Sequence, residues 1–357
     1  MTPNPNLLRK FKKGMNNPEL LRNILNQKAE SILQIAHERV DKPIFLRKYG
    51  PGTDIVTEDW DNLILLDACR YDVFDSIQEI EGDLDEVISV ASRTSQFIEK
   101  TFNGRELHDT VYISSNPHTD MTLDGGVFHD VLRTYGKEWE PDVERNQECF
   151  HPEHVFDVVS DVYEQYENKR CIIHFMQPHG PYFGETARTL RQSLNENENI
   201  GFQRLNESNN DPKRMYPDLM WAAEAGYISQ EKIQTIYREN LKLVLEYVEK
   251  LLPHLKGKTV ITADHGELLG DSSAVFSPRK YGHLKTQYVP ELRTVPWLEV
   301  PYDERKQVTT TPPRQVSNID SQRVAKQLDQ LGYMTYETAG GRYVPIGLSK
   351  PPAFGEY

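Results

Sequence analysis

Cysteine is scarce in this sequence of 357 residues, which contains three: Cys69, Cys149 and Cys171. No two of them form a CxxC pair, and an odd, sparse set excludes a disulfide framework. Cys69 and Cys171 lie in or beside apolar runs, so we expect reduced thiols in the core. This cysteine usage favours a cytoplasmic protein.

Long apolar runs are also missing, because no stretch reaches the roughly 18 residues that a transmembrane helix needs. The N-terminal stretch carries Arg9, Lys10, Lys12 and Lys13 but lacks the apolar segment of a signal peptide. The simpler interpretation is a solvated arm. The alternative is a peripheral contact with the anionic inner face of the membrane.

Positive charge is in deficit, with 41 Lys and Arg residues against 54 Asp and Glu residues and a formal net charge of −13. That balance argues against nucleic acid as a partner, because the phosphate backbone attracts basic surfaces. The hydrophobic content of 38% and the mean hydropathy of −0.64 are typical of a soluble protein with a substantial core.

Short apolar runs alternate with sequence of helical periodicity. The runs predict strands at 62–66, 87–91, 111–115, 171–175, 259–263 and 295–300. The clearest amphipathic helix, at 230–252, leads directly into the 259–263 strand, as a crossover helix does. Together they predict an α/β fold with a doubly wound, mostly parallel sheet flanked by helices.

The pattern divides the chain into three predicted parts. A basic and helical N-terminal arm covers 1–45, an α/β catalytic domain covers 46–300, and a C-terminal extension covers 301–357. The stretch at about 185–215 is polar with little periodicity, which predicts a surface insertion. The extension contains a predicted helix at 317–333.

Polar side chains follow five of the predicted strands, at the edge where an open parallel sheet places its ligand site. These residues are Asp67, Arg70, Ser92, Arg93, Thr94, Ser95, Asn116, His118, Gln177, His179, Asp264, His265 and Glu267. Carboxylates, imidazoles and hydroxyls in one place predict a divalent metal site with mixed oxygen and nitrogen ligands. The imidazole favours zinc or manganese over magnesium or calcium.

Four segments resemble, in order and spacing, segments of the alkaline phosphatase/sulfatase superfamily. NLILLDACRYD and VITADHGELLGD resemble its two metal-binding segments, and IIHFMQPHGPY resembles the Pro-His-x-Pro-Tyr segment of the sulfatase-like branch. YGHLKTQYVPELRTVPWLEV resembles the closing segment, with a basic residue before a final strand. The resemblance spans about 60–300 and implies an alkaline phosphatase-like fold and a metal-assisted phosphoryl or sulfuryl transferase.

The resemblance also implies a nucleophile and a metal shell. The position of a metal-bound hydroxyl nucleophile at a helix start matches Thr94, and Ser92 is the next candidate. Asp67, Asp264 and His265 complete the shell of one divalent ion together with Thr94. In the alternative, the hydroxyl merely caps the following helix.

His179 and His283 match positions that hold a second metal or contact the leaving-group oxygen. A second metal needs a carboxylate, and the sequence offers the neutral Gln177 beside His179. We therefore expect one metal ion, with both histidines binding or protonating the substrate. Arg70 and Arg93 are predicted to clamp the anionic ester, the alternative being surface ion pairs.

Sulfatases convert a residue within a Cys/Ser-x-Pro/Ala-x-Arg motif to formylglycine, and none of the three cysteines begins such a motif. The predicted function is therefore a metal-dependent phosphoryl-transfer enzyme, a phosphoesterase or phosphoglycerol-transferase-like protein. Its substrate would be an anionic phosphate ester, for example of a glycan or a lipid head group. Two alternatives stay open: a sulfuric ester hydrolase, and a catalytically inactive binding protein with the same fold.

Overall fold

The computed structural model describes residues 37–134, 150–196, 219–271, 279–283, 287–314, 333–337 and 343–348. Three predicted features lie largely outside these residues: the basic residues of the N-terminal arm, the second half of the polar stretch, and the helix at 317–333. The strands, helices and sites below belong to the described residues.

The strands are β1 (Asn62–Asp67), β2 (Asp83–Ile88), β3 (Leu107–Ser114), β4 (Phe128–Arg133), β5 (Arg170–Pro178), β6 (Thr259–Ala263), β7 (Leu269–Asp271), β8 (Lys280–Tyr281), β9 (Thr294–Val300), β10 (Tyr333–Glu337) and β11 (Tyr343–Leu348). The α-helices are α1 (Lys42–Tyr49), α2 (Tyr71–Asp75), α3 (Thr94–Thr101), α4 (His118–Thr122), α5 (Pro152–Val162), α6 (Glu185–Glu196), α7 (Leu219–Glu224), α8 (Gln230–Leu251) and α9 (Pro290–Arg293). A π-helical turn (His37–Asp41) precedes α1, and 3₁₀ turns follow α5 (Tyr163–Tyr166) and α8 (Leu252–His254). Among the described helices, none has both the length and the apolarity needed to cross a membrane.

Seven strands form one sheet in the order β2–β9–β6–β1–β5–β3–β4. The central strand β1 is parallel to β5 and to β6, and β3 is parallel to β5 and to β4. Only β9 runs against its neighbours, β6 and β2. The structure therefore confirms the predicted α/β class with a mostly parallel sheet. Two further pairs, β7–β8 and β10–β11, form separate two-stranded sheets.

Helices cover both faces of the sheet, which explains why its central strands are continuous apolar runs. On one face, Ile64 and Leu66 of β1 belong to a core that includes the buried side of α8. On the other face, Leu63 and Leu65 pack in a second core with Phe97 of α3. The helix predicted at 230–252 is α8, within one residue.

Two details of the prediction were wrong. β2 ends at Ile88 instead of continuing to residue 91, because this edge strand pairs only with β9 and the chain then turns towards the site. The polar stretch at 185–215 begins with an amphipathic helix, α6, which buries Ala187, Leu190 and Leu194 in the first core. β4 was not predicted, since its side chains are mostly half-exposed and give no apolar run.

Residues 301–314, which we call the C-terminal strap, pack on the domain although the sequence placed them in the extension. The backbone N–H of Thr309 donates to the carbonyl of Asn168 at 2.9 Å, and that of Arg314 donates to the carbonyl of His129 at 2.7 Å. The strap thus crosses the edge of the sheet opposite to the carboxyl ends of the parallel strands.

Candidate active site

Two neighbouring strands each lead into a buried carboxylate. Asp67 is the last residue of β1, and Asp264 directly follows β6, where Leu66 and Ala263 are the last paired residues. Both carboxylates are fully buried. One oxygen of Asp264, Oδ1, accepts the backbone N–H groups of Ala68 at 3.0 Å and His265 at 2.9 Å, which fixes the orientation of the side chain.

The backbone turns sharply after Asp67. Ala68 has φ 59°, in the left-handed region that a non-glycine residue rarely adopts. The buried hydroxyl of Tyr237 on α8 holds this turn, because it donates to the carbonyl of Ala68 at 2.6 Å and accepts from the N–H of Arg70 at 3.0 Å. A strained backbone conformation persists only where surrounding contacts hold it in place, and such conformations are concentrated at functional sites.

Thr94 is the first residue of α3 and brings its buried hydroxyl to the two carboxylates. Its Oγ1 lies 3.3 and 3.4 Å from the two oxygens of Asp67 and 3.2 Å from Nε2 of His265. The helix has no side-chain cap, so the hydroxyl is not a capping group. The hydroxyl of Ser92 is occupied elsewhere, since it accepts the N–H of Gln287 at 2.9 Å.

His265 directs a nitrogen lone pair towards the Thr94 hydroxyl and the two carboxylates. Its Nδ1 lies 2.7 Å from the carbonyl of Gly266 and must donate there, which leaves Nε2 without a proton in the neutral ring. Burial lowers the pKa of His265, which keeps the ring neutral. Nε2 lies 3.4 Å from Oδ2 of Asp264 and 3.6 Å from Oδ1 of Asp67, so a lone pair faces two carboxylates.

Gly266 lets another segment approach the ligands closely. A Cβ at this position would lie 2.1 Å from the carbonyl oxygen of Glu291, which no rearrangement of a side chain could relieve. The N–H of Gly266 donates to the carbonyl of Leu292 at 2.9 Å. The glycine after Asp264 and His265 is therefore required by close packing against α9.

These donors fit a divalent cation. The contacts among Asp67, Thr94, Asp264 and His265 measure 3.2–3.6 Å, close to the roughly 3.3–3.6 Å edge of a tetrahedron of ligands about 2.0–2.2 Å from an ion. Within the described chain, Oδ2 of Asp264 is buried and has no hydrogen-bond partner. Burial, and then the nearby charges of Asp264 and Glu267, raise the pKa of Asp67 well above its usual value, a cost that a cation removes.

His179, Glu267 and His283 form a second cluster, which we call the outer cluster. One ligand atom from each lies within 4.8 Å of the others, and Nδ1 of His283 is 2.9 Å from Oε1 of Glu267. The rings of His283 and His265 are 4.3 Å apart, so the outer cluster adjoins the first. Burial raises the pKa of Glu267 to about 7 and lowers the pKa of both His179 and His283 to about 4.

The outer cluster overturns one step of the sequence argument. The absence of a second metal was inferred from the lack of an acid near the two histidines, but Glu267 supplies that carboxylate. The residue expected beside His179 points elsewhere, since Nε2 of Gln177 donates to the carbonyl of Phe150 at 2.9 Å. A role of His179 and His283 on the substrate stays a prediction, and the outer cluster could also hold a second cation.

The guanidinium of Arg70, predicted to clamp the anionic ester, is paired with carboxylates in this structure. Its guanidinium makes two parallel contacts with Asp72, at 2.8 and 2.7 Å, and a third with Asp271 at 2.8 Å. Opposite charges held this way occupy the fork that an anion would need. Arg70 thus fastens β7 to the chain after β1, which is the ion-pair alternative.

Arg93 is the arginine whose charge acts on the outer cluster. It precedes Thr94, and its positive charge adds to burial in lowering the pKa values of His118 and His283. Its Nε is buried without a hydrogen-bond partner among the described residues. A guanidinium beside a hydroxyl at a helix start is suited to an anion.

Two buried side chains extend the site beyond the main sequence prediction. The amide of Asn116 donates to Oδ2 of Asp67, and its Oδ1 accepts the N–H of His118 at 2.8 Å. His174 has a ligand atom within 4.8 Å of those of Asp67 and Asp264. The strand-end pattern contained Asn116. His174 was not predicted to have a role, because it lies inside the apolar run of β5; a histidine in such a run was the available signal.

No protein-family model matches the chain, and no curated protein matches it significantly. Among solved structures, it is similar to the C-terminal periplasmic domain of the phosphoethanolamine transferase EptC from Campylobacter jejuni, with 10% identity, a TM-score of 0.37, and coverage of 67% of this chain and 77% of the other. It is also similar to the lipooligosaccharide phosphoethanolamine transferase EptA from Neisseria meningitidis, with 12% identity, a TM-score of 0.36, and coverage of 82% and 58%. A third similar structure is the phosphonate monoester hydrolase of Agrobacterium radiobacter, with 12% identity, a TM-score of 0.38, and coverage of 67% of each chain. Each of these likenesses, at 10–12% identity, concerns the overall structure.

Proposed function

We propose that this chain is a metal-dependent phosphoryl-transfer enzyme that uses Thr94 as its nucleophile on an anionic phosphate ester. The observation that carries the proposal is the meeting of the Thr94 hydroxyl with Asp67, Asp264 and His265 at distances of 3.2–3.6 Å. A buried hydroxyl surrounded by two carboxylates and an imidazole lone pair has the composition of a metal-bound nucleophile.

The four ligands would hold a divalent ion, for which zinc or manganese suits the imidazole. When bound, such an ion lowers the pKa of a coordinated hydroxyl and stabilises negative charge on phosphoryl oxygens. Without it, the site holds buried carboxylates whose charges repel each other, as the raised pKa of Asp67 indicates.

Each residue then has a definite task in a two-step transfer. Oγ1 of Thr94 attacks phosphorus and loses its proton to the carboxylate of Asp67, 3.3 Å away, as the bond to the leaving oxygen breaks. The departing oxygen receives its proton from the outer cluster. Glu267, whose pKa is about 7, gives a proton to Nδ1 of His283, 2.9 Å away, as the other ring nitrogen of His283 gives one to the oxygen, and His179 binds the substrate. Water or an acceptor hydroxyl then attacks the phosphothreonine and releases Thr94. Arg93 binds non-bridging oxygens, the task predicted for both arginines.

An unmodified hydroxyl distinguishes this proposal from the formylglycine chemistry of sulfatases. Cys69, which lies near Asp67, is fully buried, and burial raises the pKa of its thiol well above the usual value. Such a thiol is a core residue and not a nucleophile. The cytoplasmic location, the membrane contact of the N-terminal arm, and a glycan or lipid head group as substrate all stay predictions.

The test is an ester panel with metal-replete and chelator-treated protein. Aryl phosphodiesters, aryl phosphomonoesters and aryl sulfates are supplied to the wild type, Thr94→Ala, and the control Ser95→Ala, which removes the next hydroxyl in the same helix. We expect metal-dependent phosphate ester turnover that falls at least about 10³-fold in Thr94→Ala and persists in the control. Turnover of sulfates alone would favour the sulfuric ester hydrolase, and metal-independent turnover, or none, would overturn the proposal.

A further inference from the structure

His174 stands beneath the proposed metal site. It lies on β5 beside Leu65 of β1, two residues before Asp67, and Leu65 in turn pairs with Thr262 of β6, two residues before Asp264. Because alternate residues of a strand share a face, His174 lies on the same face as both carboxylates and one row deeper in the sheet. Its side chain is fully buried, and one of its ring nitrogens lies within 4.8 Å of an oxygen of each carboxylate.

Tyr112 determines which ring nitrogen of His174 carries the proton. The Tyr112 hydroxyl lies 2.6 Å from Nδ1, and the two rings stack with centroids 6.0 Å apart. Burial raises the pKa of Tyr112 well above its usual value, so the phenol keeps its proton and can donate it to Nδ1. A proton received at Nδ1 places the hydrogen of the neutral imidazole on Nε2.

Nε2 of His174 and Oδ2 of Asp264 are both buried without a hydrogen-bond partner among the described residues. The other oxygens are already occupied: Oδ1 of Asp264 by two backbone N–H groups, and the oxygens of Asp67 by Thr94 and Asn116. A ring nitrogen of His174 lies within 4.8 Å of an oxygen of Asp264, but no hydrogen bond joins Nε2 to Oδ2, and each buried group costs free energy unless a small movement pairs them.

We propose that His174 is a positioning residue of the metal site, whose Nε2–H donates to Oδ2 of Asp264 when that carboxylate binds its ion, with Tyr112 fixing the tautomer. The inference rests on the proposed function, because it assigns Asp264 as a metal ligand. A carboxylate oxygen has two lone pairs, so it can bind a cation and accept this hydrogen bond together. Outer partners of this kind orient a ligand and raise its affinity for the ion.

The experiment measures zinc affinity by chelator competition in the wild type and three variants. His174→Phe keeps the ring shape and removes the donor, and His174→Gln restores an N–H near the position of Nε2. The matched control is Thr262→Val, which removes a buried, unpaired hydroxyl from the other side of Leu65. We expect about 10- to 100-fold weaker zinc binding in His174→Phe, partial recovery in His174→Gln, and wild-type affinity in the control.

Thermal unfolding with and without zinc separates positioning from structural support. Metal-free His174→Phe should be less stable than the metal-free wild type, since the buried Tyr112 hydroxyl loses its partner at Nδ1; the positioning role is read from the zinc-induced rise in Tm, which should shrink. Equal zinc affinity in the wild type and His174→Phe, or equal loss in Phe and Gln variants, would overturn the inference and leave the proposed function standing. A wild type that binds no zinc or manganese would instead overturn the proposed function.

Discussion

At the scale of single residues, the charge of Arg93 should govern substrate affinity. This guanidinium lies close enough to His283 to lower its pKa, and its Nε has no partner among the described residues. We expect Arg93→Gln to raise KM for a phosphate ester about 10- to 100-fold, because a hydrogen bond to a charged group contributes roughly 1.5–3 kcal/mol. Metal content should not change.

Arg70→Gln is the matched control, since it removes the same group from a position near the site. Its guanidinium is bound by Asp72 and Asp271, so we expect lower stability with little change in KM. Steady-state kinetics and thermal unfolding of the two variants separate the roles. The reverse assignment, with KM raised only in Arg70→Gln, would return the anion clamp to the position that the sequence suggested.

The carboxylate of Glu267 leads to a prediction about the number of metal ions that bind. The outer cluster offers one carboxylate and two imidazoles, whereas the inner ligands include two carboxylates, so we expect a second ion to bind more weakly than the first and to slow transfer where it occupies the two imidazoles. Zinc titration followed by calorimetry should show a tight step and a weaker one. Glu267→Gln should remove only the weaker step; a single step in the wild type, or loss of both steps in the variant, would contradict this.

Residue types were easier to predict than the direction of side chains. Asp67, Thr94, Asp264 and His265 could be named because strand ends converge at one edge of a parallel sheet. Which arginine faces the ligand, by contrast, depends on Asp271, a distant residue that neutralises Arg70 through tertiary contact. Asp72 lies only two residues from Arg70, but the contact with Asp271 is tertiary and no local pattern predicts it.

At the scale of elements, the C-terminal strap should stabilise the domain through Arg305. Its Nε lies 2.6 Å from Oδ2 of Asp61, which is only 2% exposed, and its Nη2 lies 2.8 Å from Oδ1 of Asp59. We expect Arg305→Ala to lower the free energy of unfolding by about 1–2 kcal/mol, because Arg305 is itself partly exposed. Urea denaturation measures this, with the exposed Lys242→Ala as control.

The pH dependence of that loss follows from the pKa of Asp61. Burial raises it, but hydrogen bonds from Arg305 and from the backbone of Lys258 and Lys306 outweigh burial and leave it below 3.8. A lowered carboxyl pKa contributes stability that is present above the unfolded value and is lost as pH falls through the folded value. The difference between wild type and Arg305→Ala should be full at pH 7 and shrink below about pH 4; a constant difference would exclude the ion pair as its cause.

Central elements could be predicted more reliably than peripheral ones. β1, β5 and β6 are covered on both faces and are therefore apolar throughout, a pattern visible in the sequence. β4 and the start of β2 lie at the sheet edges, where half-exposed side chains carry no such signal. The strap has no regular structure, so only tertiary hydrogen bonds identify it as part of the domain.

At the scale of the whole molecule, the fold concentrates negative charge where a cation can use it. The chain has a formal net charge of −13, mostly solvated, yet Asp67, Asp264 and Glu267 are fully or almost fully buried at the carboxyl ends of the strands. Buried carboxylates without a counter-charge destabilise a fold. A divalent ion bound at about 100 times its Kd would add about 2.7 kcal/mol, or roughly 5 °C in Tm.

Elemental analysis of the purified protein tests the central claim most directly. The wild type should retain at least one equivalent of a divalent transition metal, and Asp264→Asn combined with His265→Ala should retain none at the inner site. Asp54→Asn, which changes a carboxylate paired with Arg105 away from the site, is the control and should match the wild type. A wild type that, after dialysis against zinc or manganese, holds no metal, or a double variant with unchanged metal content, would contradict the account.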